Sequence, residues 1–140
     1  MKRRIRDISA GAVIFRRREN LEFLLLKNRF DDWEFAKGHL QDKDLQKSAL
    51  IEIREETGFN SVEFMDGFLE KISYVKEFET EIVDKKVYFF LVEKDDAVRL
   101  SQEHLIYCWK DLEESCSFLK FAEQKELLEK ASNFINSRFR

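Results

Sequence analysis

One helix-shaped pattern stands between two sets of strand-shaped ones, and that order constrains the fold more than any other feature of the chain. From Asp42 to Gly58 the sequence offers Asp42 or Asp44 as an N-cap, then Leu45, Ala49, Leu50 and Ile53 at helical spacing, and a glycine just past Thr57 to stop it. Before this segment, the mostly apolar runs Ile8–Phe15 and Leu21–Leu26 join through the polar Arg16–Asn20, which predicts a hairpin whose centre is buried on both faces. Trp33–Phe35 predicts a short strand, and Ala36–Asp44 a loop leading into the helix. After the helix, Val62–Met65, Phe68–Phe78, Ile82–Glu93 and Leu105–Trp109 are strand-like in their β-branched and aromatic content. The tail from Phe118 to about Asn136 carries Phe121, Leu127, Leu128, Ala131, Phe134 and Ile135, as a packing helix would. Strands on both sides of a central helix, with a helix at the end, predict a mixed α/β sandwich.

A chain of 140 residues with 44% hydrophobic content is expected to form one domain, residues 1–140. Its net charge of −3 gives no reason to expect a general nucleic-acid or membrane binder. No run of about 18 apolar residues suits a membrane span, and the basic Met1–Ser9 start lacks the apolar region of a signal peptide. Cys108 and Cys116 have neither CxxC spacing nor histidines at zinc-ligand distance, so free thiols in the cytoplasm are expected. Proline is absent, which leaves the turns to Gly, Asn, Asp and Ser.

Within the helix, Glu52, Glu55 and Glu56 fall at i, i+3 and i+4 and share one stripe beside the apolar one. Each like-charge pair costs about 0.2–0.5 kcal/mol. Gly58 places the stripe near the negative end of the helix dipole. No Lys or Arg stands three or four positions from any of the three, and Lys47 and Arg54 face the other way. A glutamate-rich helix end is most often simply solvated. Hard divalent cations, however, take carboxylate oxygens, and Mg²⁺ is commonly held by one or two of them together with substrate phosphates. Just upstream, Lys37 beside Gly38 couples a positive charge to a backbone that a phosphate can approach closely.

These residues resemble the Nudix hydrolases, whose box reads G-x5-E-x7-R-E-U-x-E-E-x-G-U. Glu52-Ile53-Arg54-Glu55-Glu56-Thr57-Gly58-Phe59 matches its ending position by position. The opening glycine would fall at Lys37, so Gly38 fits a loop one residue shorter; Asp42 and Asp44 are the stand-ins for the early glutamate. Ile51 stands where the family has an arginine that orients the metal-binding carboxylates. Ser9–Phe15 is similar to the family's opening strand. Trp33-Glu34-Phe35-Ala36-Lys37-Gly38-His39 resembles the W-x-F-P-K-G-H run of the diadenosine tetraphosphate hydrolase branch, with Ala36 for proline, and Glu103-His104 with Tyr107 and Trp109 resembles that branch's later E-H element.

The resemblance implies an α/β/α sandwich around a central mixed sheet and Mg²⁺-dependent hydrolysis, with Mn²⁺ as the alternative ion. It implies Glu52 and Glu56 as principal metal ligands, Glu55 as third ligand or general base, and Glu103 as rival base or extra ligand. Lys37 with Gly38, and by looser alignment Lys85, are assigned to phosphate, and Tyr74 to stacking on a base. A core role for Tyr74, a solvated one for Glu103 and hydrogen bonding by His39 and His104 are the plainer readings. The expected reaction splits diadenosine tetraphosphate to AMP and ATP. The alternatives are a 5′-triphosphate RNA, hinted at by Lys2, Arg3, Arg4, Arg6 and Arg16–Arg18, a nucleoside triphosphate, and a nucleotide-binding module without turnover.

Overall fold

A computed structural model describes residues 1–139. Its strands are β1 (Arg3–Arg17), β2 (Leu21–Asn28), β3 (Trp33–Glu34), β4 (Ala36–His39), β5 (Glu63–Phe64), β6 (Glu70–Glu77), β7 (Glu81–Glu93) and β8 (His104–Lys110); its helices are α1 (Leu45–Thr57), α2 (Leu112–Phe118) and α3 (Ala122–Arg138). All eight strands belong to one mixed sheet, in which β1 runs parallel to β7 and every other pair is antiparallel.

The expected hairpin forms, but β1 and β2 pair only from Phe15↔Phe23 to Arg17↔Leu21 before they splay apart. The chain that follows fills the gap. β3 adds to β2 (Leu26↔Glu34), and after Phe35 the same segment crosses over as β4 and adds to β1 (Ser9↔His39 to Ala12↔Ala36). Ala36–His39 is therefore strand and not the expected loop, because the splayed edge of β1 would otherwise leave its N–H and C=O groups unpaired. Gly11 admits this crossing, since a Cβ there would run into the Ala36 carbonyl.

Alternation along β1 divides the core in two. Ala12 and Ile14, with Leu24, Leu26 and Val92, pack beneath Ile53 of α1; Val13 and Phe15, with Phe23, Leu25, Phe89 and Leu91, pack beneath Leu127, Leu128, Ala131 and Ile135 of α3. Asp44, not Asp42, caps α1, accepting from the Gln46 and Lys47 N–H groups, and Gly58 ends it at φ 79°. The stripe α1 buries is Ser48, Ala49, Glu52, Ile53, Glu56 and Thr57, while Leu45 and Leu50 are only half-buried. The expected tail helix is α3, which starts at Ala122 and not at Phe118; before it Leu112–Phe118 forms a further helix, α2, that opens at the Asp111 cap, and the chain straightens at Leu119, whose side chain is buried, before α3 begins.

Candidate active site

Burying the α1 stripe carries two acids inward with it. Glu52 is 6% and Glu56 2% exposed, whereas Glu55 at the same helix end stays exposed. The helix thus sorts its three carboxylates: two face β4 and one stands at the rim.

The Glu52 carboxylate lies directly over Gly38, where a Cβ would overlap it. One of its oxygens accepts from the Gln41 side-chain amide (Nε2 to Oε1, 2.8 Å), and the same amide lies 3.5 Å from Glu55 Oε1. Burial pushes the Glu52 carboxyl above its ordinary value; the Gln41 bond opposes this, and the charges of Glu55 and Glu103 add to the rise. Exposed Glu103, in the turn before β8, therefore sits close enough to Glu52 to be felt. That turn is tied down on two sides, by Arg99 N–H to the Thr57 carbonyl (2.7 Å) and by Arg29 Nε to the Gln102 carbonyl (2.8 Å).

Glu56 is the deeper acid. Its Oε1 accepts from the Lys37 backbone N–H at 3.3 Å, and its Oε2 has no partner. Burial, relieved somewhat by that N–H and aggravated by the charges of Glu52 and Glu34, pushes its pKa up to about 9. Beside it lies His104, 5% exposed, with Nε2 bonded to Glu34 Oε2 (2.8 Å) and Nδ1 3.8 Å from Glu56 Oε1. Glu34 also accepts from Asn28 Nδ2 (2.8 Å) and lies 3.8 Å from Lys37 Nζ. Its burial is a raising influence, but the His104 bond, the Lys37 charge and the Asn28 amide outweigh it and hold this carboxyl below its ordinary range.

On the other flank, His39 Nδ1 meets Asp7 Oδ1 at 2.9 Å and Lys85 Nζ meets Asp7 Oδ2 at 3.3 Å. Lys85 lies 5.9 Å from the ring centre of Tyr74, its neighbour across β6 and β7. Tyr74 is half-buried against the α3-side core, and Lys85 is already paired with Asp7. The fold thus brings Lys37, Gly38, Glu52 and Glu56 together where α1 meets β4, with Glu55 sharing the Gln41 amide and Glu103 acting on Glu52 through its charge, while Lys85 stands beside Tyr74 and joins His39 through Asp7. Sequence reasoning missed Glu34, Gln41, Asn28 and Asp7. Glu34 meets His104 from 70 positions away, so no local spacing could announce the pair.

No lysine or arginine forms an ion pair with Glu52, Glu55 or Glu56 among the described residues, so the place of the absent box arginine at Ile51 is taken by no other cation of that kind. Nor, among the described residues, do three acidic, histidine or cysteine side chains converge closely enough to hold a metal ion by themselves. Glu52 and Glu56, buried without a lysine or arginine partner and with one Glu56 oxygen free, would as carboxylates supply two donors to a hard cation that shares its coordination with substrate and water.

Known proteins share this chain's sequence and fold over most of its length. The NUDIX domain model matches residues 5–131, and the chain belongs to that family. It is a hydrolase that acts on phosphoric anhydrides, related to the diadenosine tetraphosphate hydrolases. The asymmetrical bis(5′-nucleosyl)-tetraphosphatase of Mus musculus is 35% identical, over 92% of this chain and 95% of the relative. That of Caenorhabditis elegans is 30% identical over 91% and 95%. The Ap4A hydrolase of C. elegans in a binary complex superimposes with a TM-score of 0.80 at 28% identity, covering 94% of this chain and 98% of the other. The dihydroneopterin triphosphate pyrophosphohydrolase of E. coli, at 16% identity and a TM-score of 0.75 over 90% and 96%, shares the fold.

Proposed function

We propose that this chain, a single domain, is a Mg²⁺-dependent hydrolase that splits diadenosine tetraphosphate asymmetrically to AMP and ATP, with Mn²⁺ as the alternative ion. The observation that carries the reading is the pair Glu52 and Glu56, buried side by side with no lysine or arginine to pair with them among the described residues. The choice of substrate leans on the relatives that share a third of the sequence across nearly the whole chain. Free thiols at Cys108 and Cys116 suit a cytoplasmic enzyme.

Glu52 and Glu56 would hold the metal, with Glu55 as the third ligand or the base. A bound Mg²⁺ supplies charge neutralisation for the phosphate oxygens and a more acidic water. The chain's own work is positional. Gly38 keeps the strand low enough for Glu52 to lie across it, and the Lys37 N–H fixes one Glu56 oxygen while the other stays free. Lys37 Nζ, paired only loosely with Glu34 at 3.8 Å, can swing to a phosphate. Glu103, exposed and acting on Glu52 through its charge, would take a proton from the attacking water, and exposed Glu55 is its rival. Tyr74 and Lys85 offer a π-face and a cation at the flank for a base and a distal phosphate.

The basic residues that would favour RNA are largely committed: Arg4 to Asp84, Arg16 to Glu22, Arg17 to Glu93 and Arg18 to Asp95. Turnover of diadenosine tetraphosphate, ATP and 5′-triphosphate RNA, measured side by side with Mg²⁺, tests the proposal. The expected result is AMP plus ATP from the first at the highest kcat/KM, abolished in Glu56→Gln. Tight binding without products would make the chain a nucleotide-binding module, and equal poor rates on all three would remove the substrate preference.

A further inference from the structure

The end of α1, the turn after it and the loop between β7 and β8 enclose a cleft of about 480 Å³, whose walls include Arg54, Glu55, Asn60, Val98, Arg99 and Leu100. Small-molecule sites commonly run to about 300–1,000 Å³. Val98 and Leu100 pack against the core beneath α1, so one wall is apolar. Exposed Arg54 and Arg99 bring two guanidiniums to it. Arg4, Arg16, Arg17 and Arg18 each pair with an acid, whereas neither Arg54 nor Arg99 forms an ion pair among the described residues, although Glu55 lines the same cleft. Cations at a helix end favour its dipole, which is the plain reading of Arg54. That reading leaves two unpaired forks on an apolar-walled cleft unexplained.

We propose that this cleft is a second nucleotide subsite, which takes a nucleoside 5′-phosphate: the Arg54 and Arg99 guanidiniums hold the phosphate oxygens, and Val98 and Leu100 lie along the nucleoside. The inference deepens the reading of the chain as a dinucleoside polyphosphate hydrolase and rests on it for the identity of the ligand. Such a substrate has a nucleoside at each end; Tyr74 and Lys85 serve one, and this cleft serves the other. Both arginines are held ready. Arg54 engages only its Nε, which donates to the Asn60 carbonyl at 2.7 Å and steadies the fork while its terminal nitrogens stay open. Arg99 is fixed at its root, since its backbone N–H donates to the Thr57 carbonyl at 2.7 Å and a Cβ on Gly58 would come within 2.9 Å of its own Cβ. Planar forks of this kind match phosphate oxygens in pairs. Two guanidiniums against the one Glu55 carboxylate leave the cleft positive. Glu55 also ties the cleft to the buried acids, because its Oε1 lies 3.5 Å from the Gln41 amide that bonds Glu52. A ligand seated there lies next to the carboxylates.

The test is titration of the protein with AMP, adenosine and inorganic phosphate, a chelator present, followed by calorimetry and by the arginine Nε–H resonances. AMP should shift the signals of Arg54 and Arg99 and bind more tightly than phosphate or adenosine. Arg54→Gln and Arg99→Gln should each weaken it about tenfold, and Arg99→Lys, which keeps the charge and loses the fork, should fall between. In turnover the glutamine variants should lose kcat/KM for diadenosine tetraphosphate by a similar factor, with the loss in KM rather than in kcat. AMP shifts confined to the surroundings of Tyr74 and Lys85, or phosphate bound as tightly as AMP, would overturn the inference. So would variants whose Tm falls while their AMP affinity holds, since the arginines would then be structural only. The two levels separate cleanly. A parent that splits diadenosine tetraphosphate while AMP leaves both arginines undisturbed sinks the subsite alone; a parent that holds AMP on the arginines and splits nothing keeps the subsite and sinks the reaction.

Discussion

Gly38 shows how one absent side chain sets the site. Its place in β4 opposite Ala10 brings the backbone directly under the Glu52 carboxylate, and a single added methyl would occupy the space of those oxygens. Gly38→Ala must therefore push Glu52 aside or lift β4 off β1. The glutamate is the softer of the two, because its side chain can rotate whereas the strand is held by its ladder. Gly38→Ala is expected to keep its fold and to lose turnover by at least about tenfold, as misplaced catalytic groups do, with Mn²⁺ affinity falling in parallel; parent-like kcat would show that Glu52 takes no part. Glu55 is the contrasting residue. It shares the Gln41 amide with Glu52 but lies open to solvent, so Glu55→Gln should weaken Mn²⁺ binding less than Glu56→Gln does. The same metal titration, run on the two variants in parallel, checks the order.

Helix α1 is the element on which the site is built, and its ends can be tested separately. Asp44 Oδ1 accepts from the Gln46 and Lys47 N–H groups, whereas Asp42 Oδ1 accepts only from the Asp44 N–H. Asp44→Ala should cost about 1 kcal/mol, a typical cap loss, and lower Tm more than Asp42→Ala; equal effects would mean that the cap is shared. This helix was the most legible part of the chain, since cap, apolar stripe, acidic stripe and stop are all local patterns. The family box made Glu52, Glu55 and Glu56 readable for the same reason. What could not be read was long-range. Splaying of β1 from β2, which turns Ala36–His39 into strand, depends on two edges that part in space. The Glu34–His104 pair depends on bringing β3 and β8 to opposite edges of β2. In the tail, Leu127, Leu128, Ala131, Phe134 and Ile135 all lie in α3, so that helix was legible from its apolar spacing, whereas the seven residues of α2 are too few to show a helical period.

Across the whole molecule, the ionisable groups pull stability in two directions with pH. Asp84 and Asp95 are held below their ordinary value of 3.8 by bonds to Arg4 and Arg18. Asp7 and Glu34 are also held low: burial raises them, but His39 with Lys85, and His104 with Lys37, prevail. A carboxyl with a depressed folded pKa contributes stability above its unfolded value and loses it as pH falls through the folded one, so these groups set an acid limb. Glu56 has the opposite sign. Its folded pKa, raised mainly by burial from 4.5 to about 9, means that its contribution is full below 4.5 and drains away as pH climbs through 9. The metal-free protein should therefore be most stable at about pH 5 and weaken steadily toward pH 9. Mg²⁺ binds the ionised carboxylate, so its stabilising effect should grow over the same window, being small at pH 5 and large at pH 8.5. Replacing the ionisable group, as in Glu56→Gln, should flatten the alkaline limb and erase most of the Mg²⁺ effect. Thermal melts at a series of pH values, with Mg²⁺ and with a chelator, check all of this. A metal-free Tm that stays level from pH 5 to pH 9, or a Mg²⁺ shift that survives in Glu56→Gln, would mean that the energetic weight of this site lies elsewhere than in the carboxylate α1 buries without a counter-charge.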